Sequence, residues 1–179
     1  LVRMGDLARQ TLEDAFSGFF KNDLRALKSA AAKEEVVDEL EREVTHYLAA
    51  LSKRSLTDSQ SERLNQLLNV VNDIERVGDH AQNVAELAQF KVEHGLPFSP
   101  HAISDLEFMY GRVDEIFRKA IEALSGGDEA LAREIIARED EIDQVKKDLR
   151  RGHIRRLNEG TCYPSSGIVF LDIISNLER

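Results

Sequence analysis

Acidic side chains recur along this chain in pairs with the spacing Glu-x-x-x-Asp. The segment NDIERVGDHAQN contains one pair, Glu75 and Asp79. On a helix, residues four apart lie one above the other, and two like charges so placed destabilise an isolated helix by about 0.2–0.5 kcal/mol. The same spacing recurs at Glu34 and Asp38, at Glu139 and Asp143, and begins again at Glu178, whose partner position would be residue 182. The repetition of this unfavourable arrangement raises the question of whether a bound group compensates the charge.

A bound multivalent cation would turn this repulsion into attraction. Carboxylates are hard oxygen ligands that suit Mg, Ca, Mn, Fe or Zn. The spacing places Glu75 and Asp79 on a flank of their helix, away from apolar positions such as Ile74 and Ala81. Gly78, between the two acids, would permit close approach of another helix or a ligand. A solvated acidic face is the alternative, and the spacing alone leaves both interpretations open.

Other candidate catalytic or metal-binding residues form weaker patterns. Glu43 and His46 have the spacing found in di-iron carboxylate bundles, but Asp148 and Arg151 stand at the repeated position, so the pattern is not completed. His80 lies off the acidic sector of its helix, which favours a surface histidine. The sequence contains no glycine-rich phosphate loop, no Cys-x-x-Cys pair and no nucleophile elbow. It therefore does not predict an enzyme, although a carboxylate-bundle metal enzyme or metal store stays an alternative that would need inward-facing ligands.

The composition favours helices and excludes some partners. Of 179 residues, 32% are charged and 6% aromatic, with three prolines and no tryptophan, a mix typical of long amphipathic helices. A net charge of −9 repels phosphodiester backbones, so nucleic acid is not an expected partner. No apolar run reaches the roughly 18 residues that span a bilayer. The single cysteine, Cys162, fits a reducing compartment.

Apolar residues recur at helical spacing and predict six helices in two copies. A shift of 105 residues brings Met4 onto Met109 and Asp23 onto Asp128, and a shift of 103 brings NDIER onto SNLER. The expected fold is all-α, with two tandem antiparallel three-helix bundles. The proposed division is residues 1–93, a linker at 94–100 with the helix-breaking sequence HGLPFSP, and residues 101–179. The chain starts without Met, and the last apolar pattern continues to Arg179, so both ends are expected to continue in a longer polypeptide and the final helix to be truncated.

The stretch NDIERVGDHAQNVAEL resembles the signature of the PhoU family, and SNLER resembles the start of its second copy. The duplicated six-helix plan and the acidic pairs on the second, third and fifth helices also match that family. More narrowly, THYLAALSKRSLTDSQSERLNQLLNVVNDIERVGDH is similar to the PhoU-like domain that follows the membrane part of bacterial sodium/phosphate cotransporters. The segment SLTDSQSE departs from free-standing members, which carry a loop resembling QPVARDLR there.

The resemblance implies a function that the spacing does not show. PhoU-like proteins regulate phosphate uptake through contacts with a phosphate transporter, and free-standing members also contact a sensor histidine kinase. We therefore expect a regulatory, metal-binding interaction domain of phosphate transport, the cytosolic PhoU-like domain of a sodium/phosphate cotransporter. The alternative is a free-standing PhoU-type regulator of phosphate uptake and signalling. Either protein would act in the cytoplasm at the inner face of the cell membrane, where its partner is the membrane domain of the transporter. The sequence does not decide whether the protein forms a homodimer.

The resemblance also implies a set of metal ligands. PhoU-like proteins bind iron or zinc clusters at their Glu-x-x-x-Asp motifs on the bundle surface. Other divalent cations are alternative ligands for the same motifs. Carried over by motif, the expected ligands are Glu34, Asp38, Glu75, Asp79, Glu139, Asp143 and Glu178. Because the fourth pair is incomplete, the second site is expected to be partial.

Overall fold

Helices make up almost the whole chain. The computed structural model describes Leu1–Arg179 with the exception of the Glu139 side chain, and no strand occurs in the described residues. The helices are α1 (Val2–Lys21), α2 (Leu24–Ser52), α3 (Asp58–Glu93), α4 (Pro100–Gly126), α5 (Glu129–Ile136), α6 (Glu139–Asn158) and α7 (Pro164–Glu178). The prediction of an all-α fold is confirmed.

Side-chain caps mark where several helices begin. Asp23 accepts a hydrogen bond from the backbone N–H of Arg25 at 2.8 Å and caps α2. Thr57 and Gln60 form a reciprocal capping box at the start of α3. Such a cap contributes about 1 kcal/mol to helix stability. At the other end of α1, Asn22 adopts a left-handed conformation with φ 54° and stops the helix.

The helices pack as two three-helix bundles, as predicted. The first contains α1, α2 and α3, and the second contains α4, α5 with α6, and α7. The helix predicted after Asp128 is divided into two, so the described chain has seven helices where the periodicity predicted six. At the break, Arg138 forms ion pairs with Glu115 on α4 at 3.2 Å and with Glu141 at 3.3 Å, which hold the turn between α5 and α6.

The two bundles meet where α1 crosses α4. The ring of Phe16 stacks on the ring of Tyr110 with a centroid distance of 4.4 Å. Arg9 donates a hydrogen bond through Nη1 to Oδ1 of Asp114 at 3.1 Å. Because the residue numbers rise on α1 while they fall on α4 from one contact to the next, the two helices run antiparallel.

The contacts across this interface follow the internal repeat. Gly5 lies against Ile121, since a Cβ built on Gly5 would be 3.0 Å from Cγ1 of Ile121. A shift of 105 residues carries Gly5 to Tyr110, and Phe16 to Ile121. The Gly5–Ile121 contact is therefore the repeat equivalent of the Phe16–Tyr110 contact, and the two bundles are related by an approximate two-fold axis.

The buried side chains form two clusters that hold these helices in place. One cluster is shared by both bundles and includes Phe16, Met109 and Phe170. The other lies within the first bundle and includes Val37 and Ile74, which are buried beneath the acidic faces of α2 and α3. Neither helix can therefore shift freely at the position of its acidic pair. None of the helices in the described residues has the length and apolar character that crossing a membrane requires.

Candidate metal centre

Three of the predicted ligands come together where α2 faces α3. One carboxylate oxygen from each of Glu34, Asp38 and Asp79 lies within 4.8 Å of the others. Asp79 is exposed, and Glu34 and Asp38 are half-buried. We call these three residues the α2–α3 carboxylate cluster. It lies on the outer face of the first bundle, as the flank position of the acids predicts.

The close approach of α2 and α3 explains how the acids meet. Val37 is fully buried, and Gly78 faces it from α3. A Cβ built on Gly78 would lie 3.2 Å from Cγ1 of Val37, a separation tighter than nine in ten ordinary Cβ contacts. Val37 lies between Glu34 and Asp38, and Gly78 lies between Glu75 and Asp79, so this contact sets the two acidic pairs beside each other.

The electrostatics of the cluster are those of crowded negative charge. Burial raises the pKa of Glu34 to about 7, and the charge of Asp38, a hydrogen bond with Asp38 and the charge of Asp79 add to this rise. Burial also raises the pKa of Glu75, with further contributions from Asp79 and Asp38. The fourth predicted ligand of the first bundle, Glu75, therefore lies within the electrostatic field of the cluster.

No basic side chain balances these charges among the described ion pairs, because none of those pairs includes Glu34, Asp38, Glu75 or Asp79. The neighbouring Lys33 binds Asp14 at 2.7 Å instead. The charge of Arg76 acts on Glu75 without forming an ion pair with it, and the carboxylate oxygens together form the donor set that hard divalent cations prefer. The residues present therefore fit a cation site.

The predicted ligands of the second bundle have different surroundings. Asp143 pairs with Lys147 at 2.6 Å, and Glu178 pairs with Lys146 at 2.6 Å. The hydrogen bond to Asp143 raises the pKa of Lys147. The side chain of Glu139 lies outside the described residues. Among the described side chains, Asp143 and Glu178 join no group of three potential ligands.

His80 occupies a position that the sequence pattern did not reveal. It is half-buried, and its Nδ1 lies 3.1 Å from Oδ1 of Asn176 on α7. His80 is therefore a partly exposed histidine that also contacts α7, and the contact with α7 is the feature that the sequence did not indicate. The periodicity of α3 shows which residues share a face, but it does not show that α7 packs against that face.

The chain is thus an all-helical protein of two tandem three-helix bundles with an acidic cluster on an outer face. The PhoU domain family matches residues 1–88 and 106–179, so the chain belongs to the PhoU domain family. The narrower resemblance to a cotransporter domain is not part of this match.

Curated relatives carry the same family name. The phosphate-specific transport system accessory protein PhoU homolog 1 of Thermotoga maritima is 26% identical, over 97% of this chain and 74% of its own length. The PhoU homolog of Xylella fastidiosa strain 9a5c is 26% identical over the whole of this chain and 75% of its own length.

Solved structures support the fold. PhoU from Pseudomonas aeruginosa superimposes with a TM-score of 0.89 at 21% identity, covering 98% of this chain and 84% of that one. The phosphate transport system regulatory protein PhoU from Streptococcus pneumoniae superimposes with a TM-score of 0.84 at 18% identity, covering 99% of this chain and 82% of that one. At these identities the likeness concerns the fold alone.

Proposed function

We propose that this chain is a regulator of phosphate transport that binds divalent cations at the α2–α3 carboxylate cluster. The observation that carries the proposal is the family match over residues 1–88 and 106–179. The relatives from Thermotoga and Xylella are named as accessory proteins of phosphate-specific transport systems. The cluster adds a site at which a cation could join α2 to α3.

The names of the relatives favour an accessory-type regulator over a cotransporter domain. An accessory regulator is a separate polypeptide that acts on its transporter by binding, whereas a cotransporter domain is covalently attached to the membrane part. The polypeptide sequence ahead of Leu1 distinguishes the two, because a row of apolar spans there would support the cotransporter. In both cases the partner is the membrane domain of a phosphate transporter at the cytoplasmic face, with a sensor histidine kinase as a further candidate partner of the accessory type.

The position of the acids supports a binding role over catalysis. An enzyme of the carboxylate-bundle type needs inward-facing ligands and a cavity for its substrate. The cluster lies on an outer face, and the apolar cavity of about 420 Å³ between α3 and α4 is lined by other residues, including Val70 and Phe117. These features weigh against a carboxylate-bundle enzyme, and the function that we propose is a binding function.

Iron or zinc is the proposed cation, with other divalent ions as alternatives. Glu34, Asp38 and Asp79 would hold it, and Glu75 would contribute charge or a further ligand. When bound, the cation would supply the positive charge that these acids lack and would fix α2 against α3. A second site at Glu139, Asp143 and Glu178 remains a proposal, and a cation there would have to displace Lys146 and Lys147 from their carboxylates.

The double substitution Asp38→Asn/Asp79→Asn tests both parts of the proposal. These changes preserve side-chain shape but remove two negative charges, so we expect the affinity for Zn²⁺ and Mn²⁺ to fall by more than about tenfold in calorimetric titrations. In cells that lack the native gene, the wild-type chain should restore normal control of phosphate uptake, and the double variant should not.

The matched control is Glu39→Gln, which removes an exposed charge from α2 outside the cluster. It should leave cation affinity and uptake unchanged. Phosphate uptake that is indifferent to loss of the gene would contradict the phosphate-transport role. Normal uptake control by a double variant that no longer binds cations would contradict only the link between the cation and regulation.

A further inference from the structure

We propose that Gly78 is a positioning residue for the cation site proposed above, on which this inference depends. Its contact with Val37 sets the spacing of α2 and α3, and that spacing brings the acids of both helices within reach of one ion.

The two residues occupy the same place in their motifs. Val37 immediately precedes Asp38, and Gly78 immediately precedes Asp79. Each faces the other helix, where a Cβ on Gly78 would lie 3.2 Å from Cγ1 and 3.7 Å from Cβ of Val37. At this level of the two helices, the side chain of Val37 on α2 therefore packs against α3 with no side chain opposing it from position 78.

A methyl group at position 78 would force the helices apart. Val37 cannot turn away easily, because a β-branched side chain in a helix has one strongly preferred rotamer. It is also fully buried in the same cluster as Val71 and Ile74, whose packing leaves little free space. The gap between α2 and α3 would then widen by a few tenths of an ångström.

Such a change matters more to a metal site than to the fold. Ligand distances in metal sites are held to within about 0.2 Å of their ideal values. Glu34 and Asp38 are carried by α2, whereas Asp79 is carried by α3, so a wider gap separates ligands of the same ion. The local stability of α3 gives no reason for a glycine here, since glycine weakens a helix interior.

The substitution Gly78→Ala tests the proposal, and Gly111→Ala is its matched control. Gly111 lies inside α4, and a Cβ there would meet no atom within 4 Å. We expect Gly78→Ala to lower the affinity for Zn²⁺ and Mn²⁺ by about tenfold in calorimetric titrations. Gly111→Ala should leave affinity unchanged. Circular dichroism and thermal unfolding of the metal-free variants should show that both remain folded.

A rescue experiment separates positioning from a general loss of structure. Val37→Ala removes the methyl groups that the new Cβ would meet, so Gly78→Ala/Val37→Ala should regain most of the lost cation affinity, although it should unfold at a lower temperature than Gly78→Ala. Val37→Ile enlarges the same contact from α2 and should weaken cation binding in a chain that retains its glycine.

The outcomes distinguish this inference from the proposed function. Unchanged cation affinity in Gly78→Ala, or no recovery in the double variant, would overturn the role of Gly78 while leaving the cation site intact. A wild-type chain that binds neither Zn²⁺ nor Mn²⁺ would overturn the cation site itself and the role of Gly78 with it.

Discussion

The negative charge of Glu34 in the α2–α3 carboxylate cluster is unfavourable in the metal-free fold. Glu34 is held half-buried beside Asp38 and Asp79, and its pKa is raised to about 7 by burial first and by those neighbours next. A carboxyl group is easier to keep neutral in such a place, because its charged form loses water and meets like charges. A cation would reverse this preference by binding the charged form.

The raised pKa of Glu34 predicts how the stability of the metal-free protein depends on pH. In the unfolded chain its pKa is near 4.5, so the folded protein holds an additional proton between pH 4.5 and about 7. The free energy of unfolding should therefore contain a contribution that falls as pH rises through this window. In Glu34→Gln this contribution should be absent, so the variant should be the more stable protein above about pH 7. Urea denaturation at several pH values in the presence of EDTA measures the effect.

Glu39→Gln on the same helix is the control, and it should follow the pH dependence of the wild type. If Glu34→Gln also followed the wild type across the window, the charge of Glu34 would not be unfavourable in the fold, and the electrostatic basis of the cluster would be contradicted.

Individual helices differ in how firmly they are held. α1 buries nine of its residues, whereas α5 buries none. The start of α5 is capped by Asp128, which accepts hydrogen bonds from the backbone N–H groups of Ala130 and Leu131, and an exposed ion pair of Glu134 with Lys119 joins the helix to α4. Exposed ion pairs contribute little, with a median of roughly 0–1 kcal/mol. The second bundle therefore has a weak element directly before the turn at Arg138.

Hydrogen exchange should reveal this difference between helices. Segments with few buried apolar contacts open locally without global unfolding. We expect the backbone amides of Glu129–Ile136 to exchange much faster than those of Val2–Lys21 when exchange is followed by mass spectrometry in native buffer. Equal protection of the two segments would show that α5 opens only when the whole protein unfolds, contrary to this expectation.

The whole molecule is held together by a core that both bundles share. Phe16 from α1 lies in the same buried cluster as Met109 from α4 and Phe170 from α7. Stacking of Phe16 on Tyr110 adds to the contact between the bundles, as aromatic pairs contribute about 0.5–1.5 kcal/mol beyond the area they bury. The two bundles should therefore unfold together.

Phe16→Ala tests this coupling. Because Phe16 is fully buried, we expect the free energy of unfolding to fall by about 3–5 kcal/mol, with one cooperative transition for both bundles. Phe108→Ala removes a side chain that is 51% exposed on α4 and should cost less than about 1 kcal/mol. Chemical denaturation followed by circular dichroism and by Tyr fluorescence gives both values. Two separate transitions would contradict a shared core.

Much of the architecture follows from the sequence alone. The apolar periodicity determines the helices, because a helix needs one continuous apolar face, and the 105-residue repeat determines the two bundles. Asp23 and its equivalent Asp128 both cap helices, as a short side-chain acceptor at that position should. The repeat also indicates which acids correspond, although it does not show how close they lie.

Tertiary packing decided which acids come together. Asp38 and Asp143 occupy equivalent positions in the sequence, but Asp38 joins acids from a neighbouring helix while Asp143 binds Lys147. The difference arises because the interaction energy of a carboxylate depends on the charges within a few ångströms. The neighbour of Asp38 on another helix is the acid Asp79, whereas the neighbour of Asp143 is Lys147, one turn along the same helix. The sequence determined the spacing of the acids along each helix. The packing of α2 against α3, in which Gly78 meets Val37, decided that the two helices present them to the same point.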